Sequence, residues 1–171
     1  MPYRTELYKF CPQCGGRLQQ KIIQPKEPLR LVCSDCGFVF YLDPKLAGIA
    51  IIPWEDGLVL ARRSIDPGYG LWVAPGGFVD VGERVEEAVI REVREEVFLN
   101  VRINRLLNVY SYPGRTTVIV AYVADVISGQ PGGGDETLEA RVFRPDDIPW
   151  EEIAFASTRD ALRDYLTLTG G

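Results

Sequence analysis

Histidine is absent from this chain of 171 residues. Ser-His-Asp triads, His-Glu-x-x-His metalloproteases and every other scheme that needs an imidazole are therefore excluded. A general base must be a carboxylate, or something rarer such as Lys or Tyr. Long apolar runs are missing too: none approaches the roughly 18 to 20 residues that span a bilayer, and the first ten residues lack the apolar segment of a secretory leader. A cytoplasmic protein with no membrane attachment is expected. Lysine and arginine number 19 against 24 aspartates and glutamates, a net charge of −5, and they form no basic run. Reading a phosphate backbone is thus disfavoured as the main role. With 46% hydrophobic and 25% charged residues the chain has a globular balance, long enough for one ordinary domain and a small appendage.

Among the residues present, the stretch from Gly77 to Leu99 is the most informative. On a helix starting at Val85, at roughly 100° per residue, Glu92, Glu95 and Glu96 share one stripe. Val85, Val89, Ile90, Val93 and Val97 form an adjoining apolar stripe, so the acids lie along the edge of the buried face. Like charges at this spacing cost a few tenths of a kcal/mol per pair when exposed and more when desolvated. A divalent cation removes that cost. Oxygen ligands without histidine or thiolate suit Mg²⁺ or Mn²⁺, which need few carboxylates and complete their shells with water and phosphate. Arg91, one turn before Glu95, can orient it through a charge-assisted hydrogen bond. A merely solvated charged helix is the competing interpretation of these residues taken by themselves.

The pattern Gly77-x5-Glu83-x7-Arg91-Glu92-Val93-x-Glu95-Glu96 resembles the Nudix box, the signature of hydrolases that cleave a nucleoside diphosphate linked to another group. The resemblance implies an α/β/α sandwich, metal held by Glu92, Glu95, Glu96 and the Gly76 carbonyl, and Glu83 and Arg91 fixing the constellation from behind. Glu95, Glu96 and Arg91 are thereby candidate catalytic residues. One position departs: Phe98 stands where the family carries a helix-terminating Gly, and Phe tolerates the left-handed conformation poorly. Asn100 is the expected terminator.

All four cysteines lie upstream, as Cys11-Pro-Gln-Cys14-Gly and Cys33-Ser-Asp-Cys36-Gly. The C-x2-C, x18, C-x2-C spacing fits a tetrahedral four-thiolate Zn²⁺ site. Two disulfides or a rubredoxin-like iron are the alternatives. Lys21-Ile22-Ile23 and Leu29-Arg30-Leu31-Val32 are expected as short strands, giving a zinc ribbon over residues 1–43. A closed thiolate shell leaves no position for chemistry, so the metal is structural. Folding, dimerisation or packing at the substrate edge are favoured roles over nucleic-acid binding, since only Arg17, Lys21, Lys26 and Arg30 are basic between the pairs.

Asp43-Pro44 marks the boundary to a second domain, 44–171. Leu46 to Pro53 is expected as a strand, Glu55-Asp56-Gly57 as a hairpin turn and Leu58 to Ala61 as the return. Arg62 and Arg63 close that strand and could meet a substrate phosphate or only solvent. Leu71 to Pro75 is another strand, with Trp72 a further substrate-binding candidate. Val101 to Tyr112 and Thr116 to Ile127 are predicted as long strands. Between them, Tyr110, Tyr112 and Pro113 stand near the place where Nudix subfamilies carry substrate-distinguishing residues. A proline there resembles the ADP-ribose pyrophosphatase pattern, the tyrosines resemble dinucleoside polyphosphate hydrolases, and the Ser-Gln-Pro-Trp-Pro-Phe-Pro-like signature of NADH pyrophosphatases is missing. Ser128 to Asp135, with four glycines, is expected to be a mobile loop delivering Glu136 and Glu139, the candidates for an additional catalytic carboxylate. A terminal helix is predicted over Ser157 to Leu168.

The chain as a whole resembles zinc-ribbon Nudix hydrolases, and that resemblance implies a pyrophosphatase of α/β fold with an N-terminal zinc ribbon, using Mg²⁺ or Mn²⁺ on ADP-ribose or FAD. NADH, NAD-capped RNA or dinucleoside polyphosphates are alternative substrates, and a non-catalytic nucleotide sensor is the alternative class. The expected partner is a small nucleotide, not nucleic acid or membrane, and a homodimer is expected.

Overall fold

The computed structural model describes residues 7–170; positions 1 and 171, the outer limits of the two predicted domains, lie outside the described residues. The chain forms two compact units: the first runs to Pro44 and includes Tyr112–Thr116, and the second comprises Lys45–Ser111 and the residues from Thr117 onward.

In the first unit, β1 (Leu18–Lys21), β2 (Arg30–Cys33) and β3 (Val39–Phe40) form an antiparallel sheet in that order. Period-two alternation buries Leu31 and Cys33 on one face. Ile22, Ile23 and Leu29, expected to be strand residues, lie outside the strands and are exposed. Pro25, Pro28 and a left-handed Lys26 (φ 77°) between them end the pairing at Lys21 and Arg30.

The second unit holds two sheets. In one, β4 (Lys45–Ile51) pairs in parallel with β10 (Thr117–Gly129), flanked by β8 (Gly76–Phe78) and β9 (Leu99–Ser111), in the order β8-β4-β10-β9. In the other, β6 (Gly57–Arg63) lies between β11 (Thr137–Phe143) and β5 (Pro53–Trp54), and β7 (Trp72–Val73) also pairs with it. The strand predicted as Leu46 to Pro53 therefore breaks at Ile52, where the chain leaves one sheet for the other. Glu55-Asp56 make the expected hairpin turn.

Helix α1 (Val85–Val97) puts Val89, Val93 and Val97 into a core with Ala50, Ile52, Val59, Ala61, Val73, Leu99, Tyr122 and Ala124. Alternation along β4 sends Ile49 and Ile51, both buried, to the opposite face, where α2 (Ala156–Thr169) brings Ala161 and Leu162. This is the expected α/β/α sandwich. Among the described residues no helix is long and apolar enough to cross a membrane.

Candidate active site

The site is built where β8 crosses α1. Gly76 has φ 146° and its missing Cβ would run into the Gly48 carbonyl oxygen, so only glycine fits against β4. A Cβ on Gly77 would lie 2.5 Å from the carboxyl carbon of Glu92. The two glycines thus let the acidic helix press directly on a bare backbone. From it the Gly76 amide donates a 2.8 Å hydrogen bond to Glu96 Oε2.

The three box glutamates end in three different environments. Glu96 is only 7% exposed, Glu92 is largely buried, and Glu95 has a side chain 58% exposed. Burial pushes the Glu96 carboxyl up to about 7; the Gly76 amide pulls it back, Glu92 and Glu136 raise it further and Arg63 opposes them. Two carboxylates, Glu92 and the exposed Glu136, and the Arg63 guanidinium therefore all bear on the one buried acid. Arg91 organises its edge: Nε and Nη2 donate to the two oxygens of Glu83, each at 3.0 Å, and Nη1 donates to Glu92 at 2.8 Å and, more weakly, to Glu95 at 3.4 Å. That pairing holds Glu83 below the usual carboxylate range. Arg91 Nη2 also reaches the Phe78 carbonyl at 3.4 Å, a contact that nothing in the sequence signals.

Carboxylate oxygens of Glu92, Glu95 and Glu96 do not gather within a single ligand sphere. Among the described residues, the group of three or more metal-ligand side chains whose donor atoms all lie within 4.8 Å of one another is that of the four cysteines. Arg91 draws Glu92 aside, Gly76 holds Glu96, and Glu95 faces solvent, as mutual repulsion dictates. The donor chemistry nonetheless suits Mg²⁺ or Mn²⁺, which take one or two carboxylates and keep several waters. Glu96 is the donor whose charge most needs a cation.

The helix ends at Phe98 itself, which adopts the left-handed conformation (φ 59°, ψ 25°). Asn100, the expected terminator, belongs to β9. Leu99 is fully buried, so the chain must turn one residue earlier to insert it into the core. The glycine-rich loop then docks on this end: Gly132 and Gly134 amides donate to the Val97 and Glu96 carbonyls at 3.1 and 2.9 Å. A Cβ on Gly134 would overlap the Glu95 carbonyl oxygen. The glycines serve close approach to the helix, where mobility was expected.

That docking separates the two loop glutamates. Glu136 is exposed and near enough to Glu96 to raise its pKa. Glu139 lies within β11 and is engaged on both oxygens, by Arg62 at 3.2 Å and Arg141 at 2.8 Å. Arg141 and Arg62 lower its pKa. Arg141 was not foreseen, although its i+2 position on a strand puts it on the Glu139 face.

Arg63 hydrogen-bonds the Pro67 carbonyl through Nε, lies over the Phe155 ring at 5.2 Å and bears on Glu96. Arg62 bonds the Gly70 carbonyl at 2.8 Å and sits over Trp72 at 5.8 Å. Trp72 is 3% exposed and packed edge-on by Phe143, so it is a floor beneath Arg62 and Arg141 and offers no open stacking face. Tyr110 is also buried, its hydroxyl donating to Asp164 of α2 at 2.7 Å. It pairs through Ile119 and Ala47 to Phe78, three strand spacings or about 14 Å from the β8 edge. Tyr112 and Pro113 lie in the turn beyond it.

In the first unit the cysteine sulfurs stand 3.8 Å (Cys11 to Cys36), 3.4 Å (Cys14 to Cys33) and 3.3 Å (Cys14 to Cys36) apart, with no disulfide. A tetrahedron of 2.3 Å metal–sulfur bonds has edges of about 3.8 Å. The Gln13 and Gly16 amides point at Cys11 and Cys14, both at 3.4 Å. The Cys36 amide brings Cys33 down to about 7, whereas Cys14, despite the Gly16 amide, is pushed up to about 12 by hydrogen bonds with Cys36 and Cys33. Four cysteine sulfurs clustered at this distance suit a tetrahedral metal, and the donor set fits Zn²⁺.

An α/β/α sandwich whose central helix aligns carboxylates under a glycine strand is the framework of a hydrolase of phosphate anhydrides. Comparison with known proteins gives the family. Residues 44–165 match the NUDIX domain, and residues 9–42 match the Nudix N-terminal zinc-ribbon domain. The chain belongs to the Nudix family and is a Nudix pyrophosphatase. It is 34% identical over 161 residues to an ADP-ribose pyrophosphatase of Methanocaldococcus jannaschii, covering 92% of this chain and 89% of that one. It is also 34% identical over 150 residues to the NAD-capped RNA hydrolase NudC of Salmonella heidelberg, covering 86% of this chain but 55% of that longer protein. A solved NUDIX hydrolase from Nitrosomonas europaea superposes with a TM-score of 0.86 at 34% identity, covering 95% of this chain and 93% of that one.

Proposed function

We propose that the protein hydrolyses the diphosphate bond of ADP-ribose or FAD, giving AMP and ribose 5-phosphate or FMN. The observation that carries this is the buried Glu96, bonded to the Gly76 amide and facing Glu92 and Glu136 with too little positive charge to balance them. Glu92, Glu95, Glu96 and the Gly76 carbonyl would hold Mg²⁺ or Mn²⁺. Such an ion, when bound, neutralises charge developing on the leaving phosphate and lowers the pKa of its water. The remaining work belongs to the chain. Glu83 and Arg91 keep Glu92 oriented, Arg63 meets a substrate phosphate, and Glu136 accepts the proton of the attacking water on a carboxylate oxygen. Glu139 is unsuited to that step, because two guanidiniums stabilise its ionised form. Similarity to the Methanocaldococcus ADP-ribose pyrophosphatase over nearly the whole chain supports the substrate choice.

The same reading takes residues 1–43 as a ribbon holding structural Zn²⁺, residues 44–171 as the catalytic domain, a homodimer as the assembly and the cytoplasm as the location. A second reading, hydrolysis of NADH or NAD-capped RNA, draws support from the NudC relatives. A nucleotide sensor without turnover has no need of this acid set.

Release of AMP from ADP-ribose, FAD, NADH and diadenosine polyphosphate, with Mg²⁺ and Mn²⁺ side by side, tests the proposal. ADP-ribose or FAD should be turned over fastest, and Glu95→Gln or Glu96→Gln should lose at least about a hundredfold in kcat, consistent with loss of a major electrostatic element. Near-normal turnover in both variants would exclude the mechanism.

A further inference from the structure

The register of the ribbon sheet separates its side chains in a way that counting basic residues cannot. Pairs Lys21↔Arg30, Gln19↔Val32 and Val32↔Val39, with the bridge Phe10↔Arg17, put Phe10, Arg17, Gln19, Lys21, Arg30, Val32 and Val39 on one face. Tyr41 joins them, because the next register step sets it beside Arg30, whose guanidinium covers its ring at 5.2 Å. The other face carries the buried Leu31 and Cys33. Among the described residues that the register places on this outward face are three cations, two aromatics and no carboxylate, in a protein whose net charge is −5.

This face is open. Phe10 is 62% and Tyr41 54% exposed, and Arg17 and Lys21 are exposed as well. None of the three cations takes part in an ion pair among the described residues, whereas Arg62, Arg91 and Arg141 in the second unit do. Arg30 adds an independent sign: its Nε is buried and has no hydrogen-bond partner. A desolvated donor of that kind costs stability unless an acceptor reaches it.

We propose that the outward face of the ribbon sheet binds single-stranded nucleic acid. Phe10 and Tyr41 stack bases, and Arg17, Lys21 and Arg30 track the phosphates, the combination by which sequence-tolerant single-strand binders work. An acidic protein segment would use the cations but not two flanking aromatic rings, and a duplex would hide its bases from them. The site is independent of the carboxylate cluster and of the identity of the hydrolysed nucleotide.

Fluorescence polarisation of labelled 12-nucleotide single-stranded RNA and DNA, with a hairpin duplex and polyglutamate as comparisons, tests this on the full-length zinc-loaded protein. Saturable single-strand binding is expected, with log K falling against log salt at a slope of about −2, as three phosphate contacts give. The RNA and DNA arms identify which strand is preferred. Arg17→Gln/Lys21→Gln/Arg30→Gln should weaken binding at least tenfold, and Phe10→Ala/Tyr41→Ala about tenfold, with zinc content and small-nucleotide hydrolysis unchanged. Lys21→Gln by itself, on an exposed strand end, should still weaken binding if the triple variant fails to fold. No saturable binding at low salt, duplex or polyglutamate bound as tightly as single strands, or affinity unmoved in these variants would overturn the proposal.

Discussion

At the scale of single residues, the chemistry concentrates on one carboxylate. Glu96 has a folded pKa near 7 against 4.5 when unfolded, so between those values the metal-free folded chain holds an extra proton. Stability must then fall as pH rises from about 4.5 to 7, by about 3 kcal/mol from this group. In urea titrations without Mg²⁺, wild type should lose ground to Glu96→Gln between pH 5 and pH 8, and added Mg²⁺ should restore wild type more at pH 8 than at pH 5. A constant difference between the two proteins across that range would remove Glu96 from the role given to it. Glu136 and Glu139 make a second contrast. Glu136→Gln should lower kcat at least tenfold, in the range of general-base contributions. Glu139→Gln, which releases two arginines, should raise KM more than it lowers kcat.

At the scale of elements, α1 is defined by how it stops. Phe98 occupies a left-handed conformation that costs a residue with a Cβ roughly 1–2 kcal/mol. The cost is tolerated because Leu99 must enter the core at once and the 129–134 loop satisfies the Val97 and Glu96 carbonyls. Phe98→Gly should therefore raise the thermal midpoint by about 2–4 °C, whereas Phe98→Ala, which keeps the conformation and loses the ring, should not. Equal midpoints for the two variants would mean that the turn carries no strain. The same junction corrects the sequence reading twice. Asn100 looked suitable as a terminator because its propensity is local, and the glycine-rich loop looked mobile because its composition is. Neither property reveals that Gly134 lies against the Glu95 backbone.

For the molecule as a whole, the four sulfurs are gathered at the separations of a tetrahedral thiolate site, which suits Zn²⁺. Removing zinc, or replacing Cys33 with Ser, should raise amide exchange of 30–33 toward that of an unfolded chain, since the free energy of metal binding is folding free energy in so small a unit. Persistent protection after zinc removal would assign the ribbon's stability to its apolar face. The sequence by itself determined much: the helix that aligns Glu92, Glu95 and Glu96, the cysteine spacing, the family and the sandwich, because each is written in spacings of a few residues that a helix or a knuckle converts directly into geometry. Only the tertiary structure decided that Glu96 is the buried acid, that Arg62 and Arg141 claim Glu139, that Trp72 and Tyr110 are packed away, and that Arg17, Lys21 and Arg30 stand together beside two aromatic rings. Those outcomes depend on which distant segments meet, and burial and charge pairing are properties of the meeting and not of either segment.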